Sequence, residues 1–199
     1  MKIAPGFSDA QWFDLTLNEF SDEGTWETAV HVLEARIYSR YIEPIDVLIE
    51  VEEELPAVER RFGFTILAID LLLMETLQAF KEGLPDTSGK SKAIFLRFLE
   101  ESPNFSKYFT TPESRVDFYQ SFRCGILHQA EVQGTTLVWS VGELFSNSEM
   151  LQTVNRTEVH NALKNDVDEY LAALRNGDAA LRENFIRKMN SIANRGTRN

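Results

Sequence analysis

The run Phe62–Met74, "FGFTILAIDLLLM", constrains this chain more than any other stretch. It is the most apolar segment of the 199 residues, and it carries one charge, Asp70. A bilayer span needs about 18 to 20 apolar residues, so the run is too short to cross, and Asp70 interrupts it. A helix that is apolar nearly all round must instead be enclosed by other elements. The sequence therefore predicts a helix from about Ala57 to Lys81 at the centre of a bundle. A carboxylate on such a helix needs a partner, because an unpaired buried charge is costly.

The segments around this core carry the helical period. Trp26, Val30, Leu33, Ile37 and Tyr41 recur at spacings of three and four, which sets them on one face. Pro44 stops or kinks that helix and suits the first turn of a new one. Ile45, Leu48 and Ile49 carry an apolar face on towards Pro56. "GLPDTSGKS", Gly83–Ser91, is a loop of turn formers; its glycine spacing does not match a phosphate-binding loop, and no apolar strand precedes it. A short helix follows at about Lys92–Glu100. Thr111 then caps a further helix with Pro112 in its first turn. That helix places Val116, Tyr119, Phe122, Ile126, Leu127 and Ala130 on one side and ends near Gly134.

Beyond Gly134 the period changes. "TTLVWS", "ELFS" and "EMLQTV" are short, rich in β-branched and aromatic residues, and separated by Gly142 and Asn147–Ser148. They predict a small β hairpin or meander at about 135–154. Two amphipathic helices follow at about 157–194, divided at Asn176–Gly177. The expected fold is mainly α: one domain over 1–199, a helical bundle with a small β insertion and two C-terminal helices. Apolar residues make up 43% and charged residues 26%, which is a globular balance.

Charge and cysteine content narrow the function. Net charge is −11, which disfavours a general nucleic-acid coat. The charge is uneven: Glu19–Glu59 holds twelve acids and two bases, whereas Leu181–Asn199 holds five bases and one acid. Cys124 stands alone, so no intramolecular disulfide and no cysteine-based zinc site can form. No cofactor motif and no metal-ligand spacing is present. The N-terminus lacks a secretory pattern, so a cytoplasmic protein is expected.

One helix carries an unusual set of groups. "FYQSFRCGILHQAE", Phe118–Glu131, places Arg123, Cys124, Gly125 and His128 within six positions of a core helix. His31 and His160 fit surface or internally satisfied histidines, so His128 is the histidine to consider for chemistry. Five steps of about 100° put Arg123 and His128 about 140° apart on a regular helix. A distortion at Gly125, or a two-fold partner supplying a second pair, would bring such groups into one cleft. Glu131 lies one turn from His128 and is placed to orient its ring. An arginine and a histidine without a metal suit phosphoryl transfer in RNA. The histidine moves a proton and the guanidinium neutralises phosphate oxygens. The same residues also fit a buried ion pair and a satisfied core histidine, with Asp70 or Glu75 as the acid facing Arg123. Cys124 fits either a small packed side chain or a nucleophile.

"RCGILH", Arg123–His128, resembles the R-x4-6-H motif of the HEPN superfamily (higher eukaryotes and prokaryotes nucleotide-binding), whose motif lies late in a helical bundle. The resemblance covers roughly 26–134, leaving 135–154 and 157–194 as elaborations. It implies a metal-independent endoribonuclease, or a non-cutting dimerisation or nucleic-acid-binding module. Either would act without a cofactor in a phage-defence or toxin–antitoxin setting, as a homodimer, with RNA and an antitoxin or other protein as partners. It assigns phosphate contact to Arg123 and proton transfer to His128, with Asp70 or Glu75 as the acid that family members often carry on an earlier core helix. The position after the arginine is usually Asn, Asp or His in that family, and here it is Cys124.

Overall fold

A computed structural model of the chain describes residues 1–129, 131–132, 134–148 and 151–195. The fold is mainly α with a small β component. Its centre is α4 (Gly63–Lys81), which packs against α3 (Glu43–Glu53), α5 (Ser91–Glu101), α7 (Gly125–Gln129), α8 (Arg156–Arg175) and α9 (Ala179–Asn194). Ile66, Leu67, Leu71, Leu73, Met74, Leu77 and Phe80 of α4 are all buried, so nearly every side of this helix meets protein. By length and composition alone α4 would reach across a membrane, but its apolar surface is spent on the core.

α4 begins six residues later than the periodicity suggests. Ala57–Glu59 form a single 3₁₀ turn, and the chain then runs extended through Arg60. The cause is Glu52, which is buried on α3. Its Oε1 accepts from the main-chain N–H groups of Arg61 and Phe62, and its Oε2 meets Arg156 at 2.7 Å. That pair ties the ends of α3 and α4 to the start of α8.

The remaining helices are set by local caps. Asp22 accepts from Thr25 N–H at the start of α2 (Glu23–Ile37), and Thr111 from Ser114 N–H at the start of α6 (Pro112–Phe118). Asn155 and Asp178 do the same for α8 and α9. The divide between those two helices falls where expected, with Gly177 at φ +86°. The junction at Pro44 is a π-turn, Tyr38–Ile42, running directly into α3. Pro44 has no N–H to give to a preceding carbonyl, and the wider turn accommodates that loss. The N-terminus holds elements too short to leave a period: β1 (Lys2–Ala4) pairs with β2 (Phe7–Ser8), and α1 (Asp9–Asp14) buries Trp12.

The β component is a three-stranded sheet. β4 (Phe145–Asn147) and β5 (Gln152–Asn155) pair antiparallel as a hairpin, and β3 (Thr136–Trp139) joins the other edge of β5 in parallel. The central place goes to β5 because it feeds straight into α8 and buries Val154 in the core. Ala130, Glu149 and Met150, expected in the preceding helix and the third strand, lie outside the described residues.

Aromatic packing anchors the helix that carries Arg123. Phe118 lies 4.7 Å from Phe109, 5.0 Å from Phe122 and 5.7 Å from Phe145, centroid to centroid. Phe95 of α5 stacks on Phe118 and meets Tyr119 edge-on. These rings hold the Phe118–Phe122 turn firmly against α5.

Candidate active site

The helix opened by Thr111 does not stay regular. Between α6 and α7, Tyr119–Cys124 adopt a π-helix, with hydrogen bonds from residue i to i+5. Gly125 itself has ordinary helical dihedrals, φ −59° and ψ −56°, so the distortion lies before it. Arg123 lies at the end of the π-helix and His128 on α7, and the long Arg123 side chain spans the angle between them. Arg123 Nη1 comes within 3.3 Å of His128 Nε2 in one and the same chain, so the two residues meet without a second copy.

Three elements build the surroundings of Arg123. From α4, Glu75 Oε2 accepts from Arg123 Nη2 at 3.1 Å. From the first turn of α5, Ser91 Oγ accepts from the same nitrogen at 2.9 Å and donates to Glu75 Oε2 at 2.6 Å. The Tyr119 ring lies 5.7 Å from the guanidinium carbon, and Lys92 Nζ is 6.0 Å from that ring. The Arg123 and Glu75 side chains are only 12% and 10% exposed, whereas His128 is exposed. The site therefore has a fixed, nearly buried arginine and an open histidine.

Guanidinium nitrogens only donate. In this contact Arg123 Nη1 is the donor, and Nε2 is the atom of His128 that faces it. Arg123 Nε is buried without a hydrogen-bond partner, so the fork is not saturated.

Of the two acids proposed for Arg123, Glu75 is the partner and Asp70 is not. They lie five residues apart on a regular helix and so face about 140° away from each other. Asp70 turns to α8, where its Oδ1 meets His160 Nδ1 at 2.9 Å. The other nitrogen of that ring, Nε2, meets Asp46 Oδ1 at 3.2 Å, and Asp46 also accepts from Lys164 at 2.8 Å. His160 is thus the internally satisfied histidine of the fold, clamped between two carboxylates. Burial raises the Asp70 carboxyl to about 6, against the hydrogen bond and charge of His160. Burial also opposes charge on His160, but the hydrogen bond and charge of Asp70, with Asp46 behind them, lift its pKa above the ordinary value.

Glu131 does not orient His128. It is exposed, its main-chain N–H reaches the Gly125 carbonyl at 3.3 Å, and no hydrogen bond or ion pair joins the two side chains. Cys124 is half-buried and packs against the core beside Tyr119. Burial and then the hydrogen bond with Cys124 push the Tyr119 phenol above its ordinary value. Among the described residues, no three His, Cys, Asp or Glu side chains gather closely enough to hold a metal ion.

Sequence reasoning missed Ser91 and Tyr119. Ser91 closes the turn-rich stretch Gly83–Ser91, and a hydroxyl at the first position of a helix carries no periodic signal. Tyr119 reads as one more member of an apolar face. No protein-family model, no curated protein and no solved structure matches this chain.

Proposed function

We propose that this chain is a cytoplasmic, metal-independent endoribonuclease of the HEPN type, with His128 as proton carrier and Arg123 as phosphate contact. The observation that supports this reading best is the 3.3 Å approach of Arg123 Nη1 to Nε2 of an exposed histidine, beside a π-helix. π-turns inside α-helices recur at functional sites, and this one carries the arginine that meets Glu75, Ser91 and His128.

The chemistry runs as follows. An RNA phosphate reaches the open side of the site and draws Arg123 Nη1 from the ring onto its oxygens. Nε2 of His128 is then free to take the proton of the adjacent ribose 2′-hydroxyl. The 2′-oxygen bonds to phosphorus as the bond to the 5′-oxygen breaks, and a proton passes to that leaving oxygen. The products are a 2′,3′-cyclic phosphate and a 5′-hydroxyl. Attacking and leaving oxygens lie on opposite sides of phosphorus in such a displacement, so one imidazole cannot serve both. A two-fold related copy would supply a second His128 as the acid, which makes a homodimer the working form in this reading.

A second reading rests on the depth of Arg123. Ion-paired to Glu75 and 12% exposed, it is partly neutralised before any RNA arrives. That favours a non-cutting dimerisation or nucleic-acid-binding module that partners an antitoxin or another defence protein. Purified protein incubated with mixed RNA in EDTA separates the two. The nuclease reading expects cleavage with cyclic-phosphate ends, lost in His128→Ala and in Arg123→Ala without loss of fold, from a species that light scattering shows to be a dimer. Undamaged RNA, or full activity in His128→Ala, removes it.

A further inference from the structure

The basic C-terminal stretch has no part in the chemistry above, yet it lines the neighbouring surface. α9 lies alongside α4, and the Pro85–Ser88 turn roofs the space between them. Two open clefts of about 490 and 430 Å³ meet there and share Asp86 and Arg195. The second also has Glu75 and Lys188 on its wall, so Glu75 separates this cleft from Arg123 and His128.

The cations here are unusually placed. Lys188 Nζ, Ser191 Oγ and Arg195 Nη2 all point at one carbonyl, that of Pro85, at 3.4, 3.3 and 2.7 Å. Behind them, Arg36 and Arg40 both donate to the carbonyl of Ile3. None of these four cations has a carboxylate within ion-pair distance among the described residues; each donates to a main-chain carbonyl instead. Two acids lie on the cleft walls: Glu75 is paired with Arg123, and Asp86 Oδ1 accepts from Ser88 N–H. The cations also feel one another. Burial, then the charge of Arg40 and more weakly that of Arg195, bring the Arg36 guanidinium down to about 10. Burial, then Arg195, lower the Lys188 ammonium. Like charges gathered this closely in a chain of net charge −11 are stabilised by an anion between them.

We infer that the α4–α9 cleft binds a backbone phosphate of single-stranded RNA, one or more nucleotides along from the phosphate held at Arg123, with Arg195 as its exposed contact. This rests on the ribonuclease reading for the identity of the anion. Continuity through Glu75 favours the strand that reaches His128 over an unrelated ligand.

The test uses full-length His128→Ala protein, which the ribonuclease reading expects to hold RNA without cutting it, and a 12-nucleotide fluorescein-labelled single strand followed by anisotropy across a KCl series. Adding Arg195→Gln should weaken binding about fivefold at 0.1 M KCl and make the slope of log K against log[KCl] shallower by about 0.7, the loss of one phosphate contact on a single strand. Arg175→Gln removes the same charge at a distant pair with Glu27 and Glu34 and should change neither. A thermal melt of each variant checks that the fold is intact. An Arg195→Gln effect no larger than that of Arg175→Gln overturns the site, as does RNA that fails to bind at 50 mM KCl. If Arg195 governs binding but wild-type protein never cuts, the cleft stands and the nuclease reading falls. If wild-type protein cuts and Arg195 is silent, the reverse holds.

Discussion

Glu75→Gln tests whether Arg123 is held by charge or by shape. Glu75 Oε2 accepts two hydrogen bonds, from Arg123 Nη2 at 3.1 Å and Ser91 Oγ at 2.6 Å. Glutamine keeps the volume and one accepting oxygen, so both contacts survive in outline, and the change removes the negative charge. Breaking a fully buried pair costs roughly 3 to 5 kcal/mol. Here each side chain is about a tenth exposed, and Arg123 retains Ser91 and His128, so a loss of about 2 kcal/mol is expected. Against a typical stability of about 5 to 15 kcal/mol, that leaves the protein folded but measurably weaker. Urea unfolding at 25 °C measures it, with the m-value unchanged. A double-mutant cycle with Arg123→Gln isolates the pair, and its coupling should reach about 1 to 2 kcal/mol. Additivity within about 0.5 kcal/mol would refute the argument, since two charges in contact with little water must be coupled. In the nuclease assay the same variant should bind RNA more tightly, because the guanidinium is no longer partly neutralised. Tighter binding with lost cleavage would show that Glu75 also positions Arg123 for the reaction.

Two further outcomes follow from the geometry. Asp70→Asn should flatten the dependence of stability on pH. In the native chain the Asp70 carboxyl is raised to about 6 and His160 is raised too, so the folded state holds more protons than the unfolded one from about pH 4 upward. Stability from this pair is then greatest at low pH and falls as pH rises through 6 and on through the His160 transition; urea midpoints of wild type that instead rise against Asp70→Asn between pH 5 and 8 would reverse that sign. Deleting Gln120, an exposed residue within the π-helix, should restore a regular helix and turn Arg123 and His128 together by about 100°, taking Arg123 away from Glu75 and Ser91; circular dichroism should be nearly unchanged while cleavage disappears, and retained activity would show that the π-turn is incidental.

The sequence alone determined the architecture. A helix apolar on nearly every side can only be stable at the centre of other helices, and residues spaced three and four apart mark a buried face wherever they occur. Thr111 with Pro112, and Asn176 with Gly177, are local signals whose physics involves only neighbouring residues, so the helix boundaries they mark were legible. Arg123 and His128 were legible as residue types in a pattern. What tertiary structure alone decided is which groups meet. The π-helix has no residue of its own that requires it; it follows from the packing of Phe118, Tyr119 and Phe122 against α5 and β4, and Arg123 at its end meets Glu75, Ser91 and His128. The partners of Asp70 and Glu75 were decided in the same way. Both needed a base, and the sequence holds several. Their five-residue spacing sends one to α8 and the other to Ser91 and Arg123, because the faces of α4 are covered by different helices.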